Sequence, residues 1–139
     1  MEHNRIDFIL QAWRAAWGDG DVEAFESILA PDYVRHTKSG AKDVEVLRQE
    51  INDSRTAFPD LDTEILDTVE QGDMVAIRWR SQGTHTGSFM GVPPTERVVS
   101  VTGASFCRFA DDLLAEEWVV WDPRELLSAM KIWTVGTDE

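Results

Sequence analysis

The first half of the chain repeats its apolar residues at the spacing of an α-helix. They recur every three or four residues over residues 5–17, and again in a shorter segment that begins after Asp21 and ends at Pro31. A third segment, about residues 42–58, also keeps one face apolar. This pattern predicts three helices, with a brief extended piece at residues 33–37 before the third.

After Pro59 the apolar residues recur at every second position or form short runs rich in Val, Ile, Thr and aromatic residues, which is typical of β-strands. Turn-forming residues separate the first strand from the second and the third from the fourth, so each pair is predicted to form an antiparallel hairpin. Gly103 in the third strand predicts a bulge or a sharp bend of the sheet. The four predicted strands are residues 63–70, 74–82, 97–109 and 113–121.

Together these elements predict an α+β fold. It is expected to be a cone-shaped barrel, in which a strongly curved, mostly antiparallel sheet packs on about three N-terminal helices. A short C-terminal helix is predicted to begin near Asp122. The chain has 139 residues, which is enough for one hydrophobic core, so residues 1–139 are expected to form a single domain. Residues 133–139 are expected to be a flexible tail.

The net charge of the chain limits the classes of partner that we expect it to bind. Its 26 acidic residues against 13 basic ones give a net charge of -13, which repels phosphate backbones and anionic lipid surfaces. We therefore expect neither nucleic acid nor a membrane as a partner. Cys107 is the only cysteine, so no disulfide can form within the chain. No signal-peptide pattern opens the sequence, and the expected location is the cytoplasm.

The segment 116–127 joins an apolar strand to a helix start at Asp122 and offers the first candidate chemistry. Alternation along the strand puts Trp118, Val120 and Asp122 on one face. A carboxylate among indole rings would be desolvated and its pKa raised, which would suit a general acid or base. Asp122 followed by Pro123 fits a helix N-cap equally well, and a cap would lower the pKa. The residues themselves leave both interpretations open.

Two histidines are further candidates for proton transfer, because histidine titrates near neutral pH. His36 lies on the extended piece, and His85 lies in the long connection of residues 83–95. Each also fits a role without chemistry, as a satisfied core or rim histidine for His36 and a loop histidine bonded to backbone for His85. The histidines show no metal-binding spacing, so no metal site is predicted.

The chain is rich in aromatic residues that could line a pocket or pack the core. It contains six tryptophans and six phenylalanines. Trp79 stands between Arg78 and Arg80, and an inward Trp79 would leave both arginines in solvent, which avoids burying two charges. The predicted substrate-binding residues are Trp13, Tyr33, Phe58, Trp79, Phe89, Trp118 and Val120.

Several motifs occur together along nearly the whole chain. They are residues 30–36 (APDYVRH), 58–61 (FPDL), 83–87 (GTHTG), 93–95 (PPT) and Glu117-Trp118 before Asp122. In this combination the chain resembles the SnoaL-like polyketide cyclase family of the nuclear transport factor 2-like superfold. The resemblance implies a pocket between the curved sheet and the long helix, and a homodimer or higher homo-oligomer formed through the outer face of the sheet.

The resemblance also implies an activity, which is a cofactor-free intramolecular aldol condensation that closes a ring in a polyketide ester. Asp122 would be the acid/base, His36 matches a pocket histidine, and His85 matches a loop motif. Such cyclases often carry a further histidine on a facing strand, whereas residues 105–107 (SFC) contain none.

We therefore expect a hydrophobic carbonyl-containing ligand and no cofactor. The alternatives are a non-catalytic small-molecule binding protein, or an isomerase or epoxide hydrolase of the same superfold.

Overall fold

A computed structural model of the chain describes residues 5–131. The predicted tail, residues 133–139, lies outside the described residues. The helices are α1 (Arg5–Trp13), which continues into a π-helical segment (Arg14–Gly18), then α2 (Val22–Glu26), α3 (Val44–Ala57) and α4 (Pro123–Ala129). The strands are β1 (Leu29–Thr37), β2 (Gly40–Lys42), β3 (Asp62–Gln71), β4 (Met74–Thr84), β5 (Val98–Ala110) and β6 (Leu113–Trp121).

The six strands form one open sheet in the order β2-β1-β6-β5-β4-β3. Strands β1 and β6 run parallel, and every other neighbouring pair is antiparallel. The three helices before β3 contribute the apolar side chains that pack on one face of this sheet. The prediction of an α+β cone with a curved, mostly antiparallel sheet and a short C-terminal helix is confirmed.

The N-terminal part of the sheet is longer than the periodicity predicted. The second helix ends at Glu26 instead of continuing to Pro31, because the chain is already bonded to β6 through the Leu114 N–H and the Ile28 carbonyl, 2.7 Å apart. Strand β2, where the sequence predicted only a break at Gly40, pairs with β1 through a tight turn. Gly40 has a φ of 119°, which favours glycine.

Gly103 has a different role from the predicted bulge. It pairs in regular register with Trp79 on one side and Trp121 on the other. A Cβ atom at this position would lie 2.4 Å from Cζ2 of Trp79, so close that one of the two groups would have to shift. Gly103 therefore makes room for the indole ring of Trp79. The register shift between β5 and β6 lies elsewhere, between Arg108 and Phe109.

Two apolar clusters of residues within 5–131 pack between the helices and the sheet. The larger one includes Ile9, Trp13, Phe25, Leu47, Ile51 and Ile77. Full burial of side chains of this size contributes about 1.5–3 kcal/mol each. The smaller one includes Ala57, Phe58, Val99, Val101, Leu126 and Met130. Trp79 packs against both clusters, so its ring lies at the centre of the inner face of the sheet.

Candidate functional site

A cavity of about 800 Å³ lies between the inner face of the sheet and helices α1 and α3. This volume is within the range of about 300–1,000 Å³ that small-molecule sites occupy. Rings from the helices, from the sheet and from the connection after β4 form much of its wall. Among them are Trp13, Trp17, Phe58, Trp79, Phe89 and Trp121. The walls therefore suit a flat, apolar ligand.

One side of the cavity carries charge. Arg35 on β1 and Glu117 on β6 are directly opposed in the parallel register, and both line the cavity. Glu117 is only 1% exposed, and its Oε1 accepts a hydrogen bond of 2.8 Å from the Tyr33 hydroxyl. Arg35 pairs with Glu50 of α3, and its Nε lies 3.8 Å from Oε1 of Glu117. Two carboxyl groups thus share one guanidinium at the cavity wall.

Burial and charge fix the protonation of two neighbours of Glu117. Burial, and then the Glu117 carboxylate, raise the pKa of Tyr33 well above its ordinary value, so the phenol stays a proton donor. Burial alone would lower the pKa of Arg35, but Glu117 and Glu50 outweigh it and raise that pKa. Glu117 therefore faces a permanent hydrogen-bond donor and a permanent cation.

A second polar contact lies beside this cluster on the inner face. Ser105 of β5 lines the cavity and is 1% exposed. The indole N–H of Trp79 donates to Oγ of Ser105 across 3.3 Å. This contact holds the Trp79 ring across the inner face of the sheet.

The structure brings four of the predicted substrate-binding residues together at the cavity: Trp13, Phe58, Trp79 and Phe89. Tyr33 lies behind Glu117, which it contacts. Trp118 and Val120, by contrast, are on the outer face of the sheet. Val120 is 60% exposed, and the Trp118 ring stacks on His36 with centroids 5.2 Å apart. The prediction for these two is corrected, because the opposite face of β6 points inward.

Asp122 is a helix cap. Its carboxylate accepts a hydrogen bond of 2.9 Å from the backbone N–H of Arg124 at the start of α4, and its side chain is 50% exposed. That backbone bond, and then the Arg124 side chain, lower the pKa of Asp122. Asp122 is not among the residues that line the cavity. The expectation of a desolvated carboxylate with a raised pKa is therefore corrected.

We predict that carbon-13 NMR will give Asp122 a pKa below the aspartate reference of about 3.9. A carboxyl group whose pKa is lower in the folded state stabilises that state at pH values above the reference pKa. This stabilisation disappears as the pH falls through the pKa of the folded state. Asp122→Asn should therefore be less stable than the native chain at pH 7, with the difference shrinking below pH 4. A pKa above the reference would contradict the cap assignment.

The two candidate histidines also lie away from the cavity wall. His36 is on the outer face, where Nε2 lies 2.6 Å from Oε2 of Glu116. His85 is fully buried, and its Nδ1 accepts the backbone N–H of Thr95 across 3.2 Å. Neither histidine is therefore positioned beside Glu117, and the prediction that they share a site with Asp122 is not reproduced by the geometry.

Sequence reasoning missed Arg35, Glu50, Ser105 and Glu117. The available signal was alternation, because Tyr33 and Arg35 share one face of β1, and Glu117, Val119 and Trp121 share one face of β6. Within residues 5–131 no three His, Cys, Asp or Glu side chains come together as ligands for a metal ion. In the same range no helix is long and apolar enough to cross a membrane.

Comparison with known proteins agrees with this fold. Among solved structures, the chain is similar to AclR from Streptomyces galilaeus, provisionally described as a hydroxylase, with 30% identity, coverage of 94% of this chain and 97% of AclR, and a TM-score of 0.85. It is also similar to IdmH from Streptomyces antibioticus, provisionally described as a polyketide cyclase, with 30% identity, coverage of 93% and 99%, and a TM-score of 0.80.

TsrD from Streptomyces laurentii shares the fold, with a TM-score of 0.85 at 22% identity over 96% of this chain and 99% of TsrD. No curated protein matches the sequence. The model of the SnoaL-like polyketide cyclase family matches residues 8–130. The chain belongs to the SnoaL-like polyketide cyclase family.

Proposed function

We propose that the cavity binds a hydrophobic, carbonyl-containing small molecule and that Glu117 transfers protons on it without a cofactor. The observation that carries this proposal is the Glu117 carboxyl group, which is buried at the wall of an aromatic cavity and held by Tyr33. A carboxylate in such a place is shielded from water and fixed in orientation, which are the conditions that general acid-base catalysis needs.

The proposed chemistry is an intramolecular aldol condensation or a related proton transfer. Glu117 takes a proton from a carbon next to a carbonyl group, and the electron pair left behind delocalises onto the carbonyl oxygen as an enolate. In the aldol case the enolate carbon attacks a second carbonyl of the same molecule, and the new alkoxide takes the proton back from Glu117. Arg35 limits the charge that builds up, and the aromatic wall keeps out water that would quench the enolate.

Family membership supports a cyclase-type activity, and the similar protein IdmH is provisionally described as a polyketide cyclase. A second candidate, a non-catalytic small-molecule binding protein, is favoured by one observation. None of the three residues that the sequence suggested as catalytic, Asp122, His36 and His85, lines the cavity. The two candidates differ in whether Glu117 performs chemistry on the bound molecule.

The test uses 2-tetralone, a neutral bicyclic ketone whose C1 protons are acidic because they lie between a carbonyl group and an aromatic ring. The native protein is expected to bind it and to accelerate hydrogen-deuterium exchange at C1 in D2O, followed by proton NMR. With the Asp122→Asn variant, the C1 protons of 2-tetralone should exchange at the same rate as with the native protein. Binding without any acceleration would favour the non-catalytic binding protein.

We also propose that two copies of the chain associate through the outer face of the sheet. Phe106 and Val120 are exposed as diagonal neighbours on adjacent strands of this face, since Phe106 pairs with Trp118 and Ala104 pairs with Val120. The charged side chains around them are already paired within the chain, as in Arg78 with Asp67 and Arg108 with Glu116. An apolar face whose charges are neutralised can pack on a second copy despite the net charge of -13.

Val120→Glu is expected to convert the homodimer into a monomer, because it buries an unpaired carboxylate at the interface of two acidic chains. Size-exclusion chromatography with light scattering over a tenfold range of concentration measures the change. Val46→Glu is the matched control, since Val46 is also exposed but lies on α3. Identical masses for Val120→Glu and the native chain would contradict this interface.

A further inference from the structure

The hydroxyl group of Ser105 has an unused proton at the cavity wall. Its Oγ accepts the indole N–H of Trp79, and no other hydrogen bond of this hydroxyl occurs among residues 5–131. Ser81, another serine of the cavity wall, differs in this respect because its Oγ lies 2.8 Å from Oγ1 of Thr63. Ser105 can therefore donate to a molecule in the cavity, at a buried position where water competes little.

Ser105 also lies at a useful spacing from Glu117. The antiparallel register of β5 and β6 pairs Ser105 with Val119 and Cys107 with Glu117. Ser105 and Glu117 are therefore diagonal neighbours on the same face, a relation that separates two residues by about 7–8 Å. A ketone fits between a donor and a base at this spacing, with its oxygen toward one and the hydrogen of its α-carbon toward the other.

We infer that Ser105 donates a hydrogen bond to the carbonyl oxygen of the ligand, and that the ligand class is a neutral, enolisable ketone on an apolar ring system. This inference rests on the proposed function. When Glu117 takes the proton from the α-carbon, the C–H electron pair forms the C=C bond of the enolate. The C=O π pair moves onto oxygen, where the Ser105 hydroxyl stabilises the negative charge.

The arrangement of Trp79 supports this role. Its ring passes over Gly103, and its N–H holds Oγ of Ser105, so the hydroxyl oxygen is fixed before a ligand arrives. The Nε of Arg35 also lacks a hydrogen-bond partner among the described residues, but it lies 3.8 Å from Oε1 of Glu117, and the charge of Arg35 is shared by Glu50 and Glu117. Ser105 is thus a donor of the inner face that is both oriented and available, and Trp79 acts as its positioning residue.

The test compares 2-tetralone with tetralin, which has the same rings without the carbonyl group. Titrations that follow the fluorescence of the cavity tryptophans give both affinities. Ser105→Ala should weaken 2-tetralone binding about 3- to 10-fold and leave tetralin binding unchanged, as expected for one hydrogen bond. It should slow C1 exchange about 100-fold. Ser100→Ala is the matched control and should match the native chain, because Ser100 is an exposed serine of the same strand and does not line the cavity. Ser105→Thr, which keeps the hydroxyl, should retain most of the exchange.

A direct readout is the carbon-13 shift of C2 in labelled 2-tetralone, which moves downfield when its oxygen accepts a hydrogen bond. The bound shift should be downfield in the native chain and in Ser100→Ala, and should return upfield in Ser105→Ala. An unchanged shift in Ser105→Ala, an equal loss of affinity for 2-tetralone and tetralin, or no binding of 2-tetralone to the native chain would overturn the inference.

Failure of the proposed function gives a different result. If the native chain shows a C2 shift that depends on Ser105 but no C1 exchange, the carbonyl contact stands and Glu117 is not a base. If C1 exchange occurs and does not depend on Ser105, Glu117 retains its role and the Ser105 assignment is overturned. Thermal unfolding of each variant verifies that the comparison is made on folded protein.

Discussion

Replacing Glu117 with glutamine is expected to slow the C1 exchange of 2-tetralone about 1,000-fold while leaving its affinity nearly unchanged. The amide has almost the same shape as the carboxylate and can still accept the hydrogen bond from Tyr33. It cannot take up a proton at neutral pH, so general-base catalysis, which is worth about 10²–10⁴-fold, disappears. Proton NMR in D2O measures the rate, and tryptophan fluorescence measures the affinity.

The chain contains a matched control one residue away. Glu116 has the same side chain on the same strand, but it points to the outer face and pairs with His36 and Arg108. The Glu116→Gln variant should therefore catalyse C1 exchange of 2-tetralone at the native rate. Equal rates for Glu117→Gln and the native chain would rule out Glu117 as the base, and equal slowing in both variants would point to an indirect effect through strand β6.

Much of the fold could be predicted from apolar spacing because the long elements follow one period throughout. Helix α3 and strands β3 to β6 lie within a few residues of their predicted bounds. Strand β2 could not be predicted this way, because three residues are too few to show a period and, within residues 5–131, it pairs with β1 alone. The early end of the second helix likewise depends on a bond to β6, which is distant in the sequence.

The site was harder to predict because alternation divides a strand into two faces without saying which one is buried. Strand β6 carries a tryptophan on each face, Trp118 and Trp121, so apolar content does not separate them. Glutamate does not separate the faces either, because Glu116 lies on one face and Glu117, which the structure buries, lies on the other. What permits its burial is Tyr33, 84 residues earlier in the chain, together with Arg35, its parallel neighbour.

Asp122 shows the opposite case, in which a local signal was sufficient. Its cap pattern needs only the next few residues, and the structure contains that cap. The catalytic interpretation needed the packing of indoles around the carboxylate, which depends on the face that β6 buries. Local rules therefore described Asp122 correctly, whereas the chemistry of the cavity depends on contacts between distant strands.

Gly103→Ala is expected to cost about 3 kcal/mol of the free energy of unfolding, which is at the upper end of overpacking effects. The new methyl carbon would lie 2.4 Å from Cζ2 of Trp79 and 2.8 Å from the backbone oxygen of Val120. The indole ring is the more mobile of the two, so it should move off the inner face and break its hydrogen bond to Ser105. Denaturant unfolding measures the loss, and C1 exchange should fall with it.

Gly18→Ala is the matched control, because its added Cβ would meet only Cγ of Arg14, at an ordinary contact distance of 3.9 Å. Alanine is the better helix former by up to about 1 kcal/mol, so this variant should be at least as stable as the native chain. In a Trp79→Leu background, Gly103→Ala should cost less than in the native chain, with a residual loss from the Val120 carbonyl. An undiminished cost there would mean that Gly103 is required by the backbone of β6 and not by the ring of Trp79.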